Sequence, residues 1–380
     1  MIVGGAQENT LLTVRGLLQK GYDTVLLTGP GAGPEGELLA TQRLPEQNVH
    51  VIPDLFRELN PLRDLKSYFA LKRYFREKRF DIVHTHSSKA GILGRIAARK
   101  VGVPVIVHTV HGQAFHPYQS AFRNRLYIAA ERVAAGHCDR ILAVAAAMVD
   151  QCVRAGVGPE KLYHVVYSGM EMEPFLNAMP DMELRSRLGI PADALVVGKI
   201  ARLFELKGHR FLIDAAPAIV ERVPNVRFLL VGDGALRSSL ESAVQERGLE
   251  DYFIFAGLVA PAEVPRYLAL MDVLAHLSLR EGLPRTVVQA LAAGVPAVGF
   301  RLDGAPEVII DGKTGILCEA EDVACVQSAL LYLLDEDIER RRMGHRGREL
   351  VRNRFDWHRM VEHIESEYTA LVAVKGRAMT

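Results

Sequence analysis

The residues best suited to chemistry lie in a Glu-Gly-Leu-Pro-Arg turn that precedes a helix of small residues. Pro284 favours the first helical position, which places Glu281, Gly282 and Leu283 beside the positive end of that helix. Backbone N–H groups at such an end bind phosphate, and a carboxylate accepts hydrogen bonds from hydroxyls. Gln289 lies little more than one turn further on. The pattern predicts a site for a sugar joined to phosphate, although a Glu here more often serves only as a cap.

A second candidate group is cationic. Arg202 and Lys207 follow the apolar run 195–201 and precede a predicted helix. Arg offers a rigid fork of donors and Lys a point charge, so with the helix N terminus they are suited to neutralising a diphosphate leaving group. The competing interpretation is solvated surface charge.

Glycines follow the next apolar run. Gly232 and Gly234 belong to a Gly-Asp-Gly-Ala-Leu-Arg segment in which Arg237 replaces the third glycine of a dinucleotide fingerprint. No acidic residue closes the following strand, so hydride transfer with a nicotinamide cofactor is weakly supported.

Four histidines end two predicted strands: His84, His86, His108 and His111. Ligands of open α/β sheets bind outside the carboxyl ends of strands, so these rings are expected to line a cleft, although His84 and His108 could simply hydrogen-bond backbone nearby. His84 and His86 share one face of a strand, which raises zinc as a rival. No HExxH pattern or third ligand at suitable spacing accompanies them, so no metal site is assigned.

The elements that position these residues alternate between short apolar strands and longer helical patterns. Continuous apolar strands between helices predict parallel sheets covered on both faces. The predicted strands span residues 24–28, 81–85, 103–110, 140–144 and 163–167, then 195–201, 226–231, 252–257, 273–277 and 295–300. This favours an α/β fold of two doubly wound, Rossmann-like domains, residues 1–175 and 176–356, with the helix 357–372 packing back on the first.

The first domain begins unusually. A doubly wound sheet normally opens with a strand, whereas Gly4 and Gly5 lead straight into an amphipathic helix. The sequence therefore predicts that the first strand is missing: either the true start lies upstream of Met1, or the domain tolerates a sheet that lacks an inner strand.

Composition limits the function. A length of 380 residues predicts two domains, and 46 basic against 45 acidic residues argue against a general nucleic-acid binder. The sequence has no apolar run of about 18 residues and no secretory signal, so a cytoplasmic protein is expected. The cysteines are expected to be reduced structural thiols: Cys138, Cys152, Cys318 and Cys325.

Together these segments resemble the retaining GT-B glycosyltransferases of family four (glycosyl transferases group 1), in an ordered set that covers nearly the whole chain. The segments are Gly4-Gly5-Ala6-Gln7-Glu8, residues 84–91, His108-Thr-Val-His111-Gly112, Tyr167-Ser-Gly169, Arg202 with Lys207-Gly208, Val231-Gly-Asp-Gly234, Phe255-Ala-Gly257, Glu281-Gly-Leu-Pro-Arg, Gly304-Ala-Pro-Glu307 and Asp311-Gly-Lys-Thr-Gly315.

The resemblance implies two Rossmann-like domains that face a cleft, with a nucleotide sugar held mainly by the second and a sugar or lipid-linked acceptor received by the first. It implies transfer with retention in polysaccharide or glycoconjugate synthesis, without a cofactor or metal ion. A donor phosphate oxygen would accept the acceptor's proton.

The resemblance also implies roles for individual residues. Arg202 and Lys207 would hold the diphosphate, Glu281 the donor-sugar hydroxyls, and His111 the sugar from across the cleft. The expected donor-binding residues are Gly4, Gly5, Gly232, Gly234, Gly257, Gly282, Leu283, Pro284 and Gln289.

One departure from the family pattern leaves alternatives open. The family places a second Glu, which binds the ribose diol, where this chain has Gln289. A catalytically degenerate nucleotide-sugar-binding relative and a GT-B nucleotide-sugar epimerase both remain alternatives to a transferase.

The segment 57–79 is basic and aromatic, and such a helix could lie on anionic lipid at the inner face of the membrane and present a lipid-linked acceptor to the cleft. An ordinary surface helix that covers the sheet with its aromatic face is the alternative. The basic residues are Arg63, Lys66, Lys72, Arg73, Arg76 and Lys78, interleaved with Leu65, Tyr68, Phe69, Leu71, Tyr74 and Phe75.

Overall fold

A computed structural model describes residues 4–31, 44–56 and 58–379, with side chains to residue 376. Its contacts divide the chain into two compact units, Met1–Met170 with Trp357–Thr380, and Glu171–Asp356. The predicted boundary after residue 175 lies five residues too far along, because the short helix Glu173–Leu176 packs against other helices of the second unit.

Strands and helices alternate in both units. In the first unit they are α1 (Gly5–Gln19), β1 (Leu26–Thr28), β2 (Val49–Val51), α2 (Pro61–Lys78), β3 (Ile82–His86), α3 (Ser88–Val101), β4 (Val105–Val110), α4 (Ala121–Ala135), β5 (Arg140–Ala143), α5 (Ala146–Arg154) and β6 (Tyr163–Val165). In the second they are α6 (Glu173–Leu176), α7 (Met182–Arg187), β7 (Leu195–Ile200), α8 (His209–Arg222), β8 (Val226–Val231), α9 (Arg237–Gln245), β9 (Phe253–Gly257), α10 (Val264–Leu268), β10 (Val273–His276), α11 (Arg285–Ala292), β11 (Ala297–Phe300), β12 (Gly315–Cys318), α12 (Val323–Asp335) and α13 (Asp337–Arg354). The helix α14 (Trp357–Met379) then returns to the first unit.

All sheets are parallel, as predicted from the continuous apolar strands. The first unit has a four-stranded sheet in the order β3-β4-β5-β6 and a separate pair, β1-β2. Within residues 4–31 no strand precedes α1, in agreement with the sequence. Residues 1–3, on which an earlier start would bear, lie outside the described residues.

The four-stranded sheet is covered on both faces. Leu71 and Phe75 of α2 belong to one hydrophobic cluster with residues of α3 and α4, whereas α1 and α14 contribute to another with Val105 and Val107 of β4. The buried residues of α14 in that second cluster are Trp357, Met360, Val361, Ile364, Tyr368 and Leu371. The C-terminal helix therefore completes the core of the first unit.

The second unit has one six-stranded sheet in the order β12-β11-β10-β7-β8-β9. Successive strands run outward from β7 to β9, and the chain then crosses back to place β10 on the other side of β7. The gap between β7 and β10 is therefore the topological switch point of this sheet, where ligands of open α/β folds bind.

The expectation of four reduced cysteines is wrong for one pair. Cys318 at the end of β12 and Cys325 in the first turn of α12 form a disulfide, because the turn between them brings their Cα atoms within 5.7 Å. Cys138 and Cys152 are free and buried.

A helix must be both long and apolar to cross a bilayer. No helix within the described residues meets both conditions.

Candidate active site

Two loops of the second unit meet at the switch point of its sheet. The loop after β7 carries Arg202 and Lys207, and the turn after β10 carries Glu281. Because β7 and β10 are hydrogen-bonded neighbours, these loops leave the same edge of the sheet side by side. The structure thus brings Lys207 and Glu281 into contact, and Arg202 lies in the same loop as Lys207.

Lys207 and Glu281 form the central contact of the site. The Lys207 ammonium Nζ donates to Glu281 Oε1 at 2.5 Å, and each side chain is 23% exposed. Burial opposes ionisation of Glu281, but the nearby Lys207 charge and hydrogen bond hold the pKa of this carboxyl below its ordinary value. The site therefore contains an ionised, partly buried pair at neutral pH.

Backbone geometry fixes the position of Lys207. Gly208 has a φ of 68°, and a Cβ there would lie 1.8 Å from the carbonyl oxygen of Leu277. Only glycine permits so close an approach between the loop after β7 and the end of β10. The backbone N–H of Leu279 also donates to the carbonyl of Leu206 at 2.8 Å, which ties the two loops together.

The turn that carries Glu281 is held from its other side. The Glu281 backbone N–H donates to Asp303 Oδ2 at 2.7 Å, and the Gly304 N–H donates to the Gly282 carbonyl at 3.2 Å. Glu281 is thus fixed at its backbone as well as through its carboxylate.

The predicted position of Pro284 is wrong by one residue. Pro284 is the N-cap of α11, and its carbonyl accepts the first helical hydrogen bond, from Val287 N–H. Gln289 is half-buried in the second turn of that helix.

Arg202 lies on the exposed side of the same loop. Its guanidinium carbon is 5.1 Å from the ring centroid of Phe204. The Arg202 carbonyl accepts a hydrogen bond from His209 Nε2 at 3.1 Å, which assigns the proton of that ring to Nε2. His209 is buried at the start of α8, and this hydrogen bond holds the loop in place.

The glycines Gly232, Gly234 and Gly257 have a local structural role. A Cβ on Gly232 would lie 2.1 Å from the Ala201 carbonyl oxygen, and one on Gly234 would lie 2.6 Å from that of Leu203. Gly232 also pairs with Gly257 in an isolated bridge. Close backbone approach accounts for glycine at the first two positions, and contact of all three with a nucleotide stays a prediction.

Sequence reasoning missed three buried groups near this site: Lys199, His209 and His276. His276 ends β10, is 7% exposed, and places Nε2 3.9 Å from Glu281 Oε1. Burial lowers the pKa of His276 to about 4, so its ring is neutral at neutral pH. The signals were present. His276 is the last but one residue of the predicted strand 273–277, and Lys199 is a charged residue inside the predicted apolar strand 195–201.

The predicted histidine cluster of the first unit is assembled. The rings of His84 and His86 lie 4.4 Å apart, which confirms that they share a strand face. His86 Nδ1 lies 3.0 Å from His111 Nε2, and His108 Nδ1 lies 2.9 Å from Thr85 Oγ1. Burial lowers the pKa of His86 to about 4 and the pKa of His84 and His108 well below the ordinary value.

His84 uses both ring nitrogens, with Tyr368 Oη of α14 at 2.5 Å and Thr109 Oγ1 at 2.7 Å. Gly4, whose carbonyl accepts from the Glu8 N–H at 2.9 Å, and Gly5 begin α1 in the same unit. Across residues 4–31, 44–56 and 58–379, no group of three or more His, Cys, Asp or Glu is arranged to hold a metal ion.

Two units on parallel sheets, with a Lys–Glu pair at the switch point of the second, fit the GT-B glycosyltransferase class that the sequence resembles. Residues 4–169 match the family "Glycosyl transferase 4-like domain", and residues 181–350 match "Glycosyl transferases group 1". The chain is 31% identical over 329 residues to the UDP-Gal:alpha-D-GlcNAc-diphosphoundecaprenol alpha-1,3-galactosyltransferase of Escherichia coli, covering 85% of this chain and 84% of that relative. The chain belongs to the glycosyl transferases group 1 family.

Two further comparisons agree. The chain is 28% identical over 313 residues to the N-acetyl-alpha-D-glucosaminyl L-malate synthase of Bacillus anthracis, covering 81% and 79% of the two chains. HepE of Anabaena, solved in complex with UDP, shares the fold with a TM-score of 0.79 at 24% identity, over 97% and 96% of the chains. The predicted family and GT-B fold are confirmed, and the protein is a retaining glycosyltransferase that uses a nucleotide-diphosphate sugar.

The buried neutral His276 gives a prediction of pH dependence. Its folded pKa of about 4 lies below the ordinary 6.5, so the unfolded chain binds more protons between those values and stability falls as the pH drops through that window. Between pH 7 and pH 5 this one ring contributes about 2 kcal/mol to the loss of unfolding free energy. The unfolding free energy of His276→Asn, measured by urea denaturation, should fall between pH 7 and pH 5 by about 2 kcal/mol less than that of the wild-type protein.

The matched control is His345→Asn, whose side chain is 73% exposed and should leave the decline unchanged. Equal declines for wild-type protein and His276→Asn would contradict a neutral buried ring.

Proposed function

We propose that the protein transfers a sugar from a uridine diphosphate sugar to a lipid-linked sugar acceptor in polysaccharide or glycoconjugate synthesis. The observation that carries the proposal is the Lys207–Glu281 pair at the switch point, which offers a cation for phosphate and a carboxylate for sugar hydroxyls. The name of the E. coli relative, which includes UDP-Gal and a diphosphoundecaprenol acceptor, supports the choice of substrates.

In this proposal the bound donor separates Lys207 from Glu281 and gives each of them a new partner. Lys207 turns to the diphosphate with Arg202 and stabilises the charge that develops on it as the glycosidic bond breaks. Glu281 accepts hydrogen bonds from the donor-sugar hydroxyls. The bond between the anomeric carbon and the phosphate oxygen breaks, and that oxygen receives the acceptor hydroxyl's proton. The acceptor oxygen bonds to the anomeric carbon on the face that the phosphate left, so the configuration is retained.

The remaining predicted residues complete the proposal. His111, paired with neutral His86, would hydrogen-bond the sugar, and the Gly4–Gly5 turn would approach the donor phosphate. The loop glycines Gly232, Gly234 and Gly257 and the turn Gly282, Leu283 and Pro284 would contact the nucleotide through their backbone. The cationic side chains of Arg202 and Lys207 would stabilise the charge on the diphosphate without a metal ion.

A substrate panel tests the function. The protein would be incubated with UDP-, GDP- and ADP-sugars, with and without a polyprenyl diphosphate-linked sugar and with and without EDTA, and the nucleotide released and the glycan formed would be measured. Acceptor-dependent UDP release that EDTA does not reduce supports the proposal. A free isomerised sugar instead of a glycan would indicate an epimerase.

Lys207→Ala tests the phosphate clamp. Loss of its transition-state charge stabilisation, a few kcal/mol, should lower turnover on the order of a hundredfold while the circular dichroism spectrum stays unchanged. Lys100→Ala, at an exposed position of α3, is the control and should retain full turnover. Near-normal turnover of Lys207→Ala would remove Lys207 from the mechanism.

Gln289→Glu tests the ribose assignment. A carboxylate accepts hydrogen bonds from both ribose hydroxyls with charge assistance, whereas the Gln289 amide has one oxygen acceptor. The change should tighten UDP by about 1 kcal/mol, roughly five- to tenfold, with a smaller effect on the rate. Calorimetric titration decides, and equal or weaker UDP binding by the variant would show that Gln289 does not contact the ribose.

The outer face of α2 supports peripheral membrane contact. Leu71 and Phe75 are buried and Tyr68 and Tyr74 half-buried, so most of the aromatic side does cover the sheet. Three other apolar side chains share an outward-facing stripe at helical spacing: Leu62 is 76% exposed, Leu65 54% and Phe69 56%.

Basic residues surround this stripe. Exposed cationic side chains of the helix and its C-cap are Arg63, Lys66, Arg73, Arg76, Lys78 and Arg79, whereas Asp64 pairs with Lys89 and Glu77 with Arg73. Residue 57, the first of the predicted segment, lies outside the described residues. A basic, partly apolar helix suits the anionic inner leaflet, so the proposed location is the cytoplasmic face of the membrane.

Removal of the stripe should weaken lipid binding. The triple change Leu62→Ser, Leu65→Ser and Phe69→Ser is expected to reduce sedimentation with vesicles of anionic phospholipid at least severalfold at low salt. The control changes exposed apolar residues elsewhere, Ile338, Val372 and Val374, to Ser. If wild-type protein does not bind such vesicles, or both variants bind equally, α2 is an ordinary surface helix.

A further inference from the structure

Lys199 is a buried lysine without a counter-charge. It lies near the carboxyl end of β7, is 2% exposed, and its Nζ makes one long hydrogen bond, 3.4 Å to the Ala275 carbonyl oxygen of β10. Within the described part of the chain it forms no ion pair with a carboxylate. A buried ammonium in this position is costly unless it loses its proton or an anion arrives nearby.

The groups that surround Lys199 come from each element at the switch point. Lys207 is in the loop after β7, Glu281 in the turn after β10, His276 at the end of β10 and His209 at the start of α8. Lys207 and Glu281 cancel each other in their ion pair, and burial keeps both imidazoles neutral, with a pKa of about 3 for His209 and about 4 for His276. The formal charges around Lys199 therefore sum to zero, although the Lys207 charge acts on Lys199 more strongly than the Glu281 charge does.

This balance places Lys199 between two protonation states. Burial first and the Lys207 charge second lower the pKa of Lys199 to about 7, against the smaller opposing effect of Glu281. A bound diphosphate would add several negative charges next to Lys207 and Arg202, and negative charge close to a buried amine favours its charged form.

We propose that Lys199 is a positioning residue that takes up a proton when the nucleotide diphosphate binds, and so supplies buried positive charge beneath the phosphate without touching it. The proposal rests on the proposed function, because it requires the nucleotide at this switch point. It also predicts the sign of the pH dependence. The contribution of Lys199 to nucleotide affinity should be nearly constant below pH 7 and fall as the pH rises from 7 towards the higher pKa of the complex, by at most tenfold per pH unit.

The test is isothermal titration of UDP into wild-type protein and Lys199→Met at pH 8, in two buffers of different ionisation enthalpy. At this pH the phosphates of free UDP are already deprotonated, so the difference between buffers reports protons taken up by the protein. Wild-type protein should take up roughly half to one proton, and Lys199→Met should take up correspondingly less. Its UDP affinity should also lose the dependence on pH between 7 and 9.

A second variant controls for misfolding of Lys199→Met. Lys199→Gln retains a donor for the Ala275 carbonyl but cannot gain a charge, and it should behave like Lys199→Met. A purely structural lysine would change affinity or stability without changing the number of protons taken up.

The outcomes separate the two proposals. UDP binding with the same proton uptake in wild-type protein and in both variants, or with no uptake in wild-type protein, would overturn the role of Lys199 and leave the nucleotide site standing. Failure of wild-type protein to bind UDP at any pH would overturn the proposed function and the role of Lys199 with it.

Discussion

The ion pair between Lys207 and Glu281 is the contact on which the candidate site depends. It joins the loops after β7 and β10, which are far apart in sequence and are brought together because the sheet reverses its direction of growth between these strands. Gly208 allows the backbones to approach, and the Asp303 carboxylate holds the Glu281 backbone from the other side. The parallel sheet thus provides the edge, and a few specific contacts fix the charges on it.

The groups beneath this pair are kept neutral or nearly so. His276 and His209 lose their charge to burial, and Lys199 is held close to the point at which it loses its own. A permanent positive charge at this place would compete with Lys207 for Glu281 and repel Lys207. Neutral buried rings instead fill the space and position the loops, as His209 does when it hydrogen-bonds the Arg202 carbonyl.

The sequence predicted the main features of the fold because parallel strands are continuous apolar runs, which are visible without any tertiary information. The short strands β2 and β12 were not predicted. Val49–Val51 includes a histidine, and Gly315–Cys318 begins with glycine after a polar turn. The disulfide between Cys318 and Cys325 was missed because its spacing follows from the turn geometry rather than from a motif. Arg202, Lys207 and Glu281 could be found because each follows a predicted strand. Lys199 was not singled out, although it lies inside an apolar strand, because only the folded sheet shows that its buried ammonium has a single long hydrogen bond.

The pairing of Lys207 with Glu281 also bears on specificity under the proposed function. A free phosphate that drew Lys207 away would leave the partly buried Glu281 carboxylate without its partner, which is costly. A free sugar would have to compete with Lys207 for the same carboxylate. A nucleotide sugar compensates both groups together, because its diphosphate takes Lys207 while its sugar hydroxyls take Glu281. The ion pair therefore weakens binding of free phosphate or free sugar and favours binding of the nucleotide sugar. Specificity then comes from the cost of leaving one charge unpaired as well as from the new contacts.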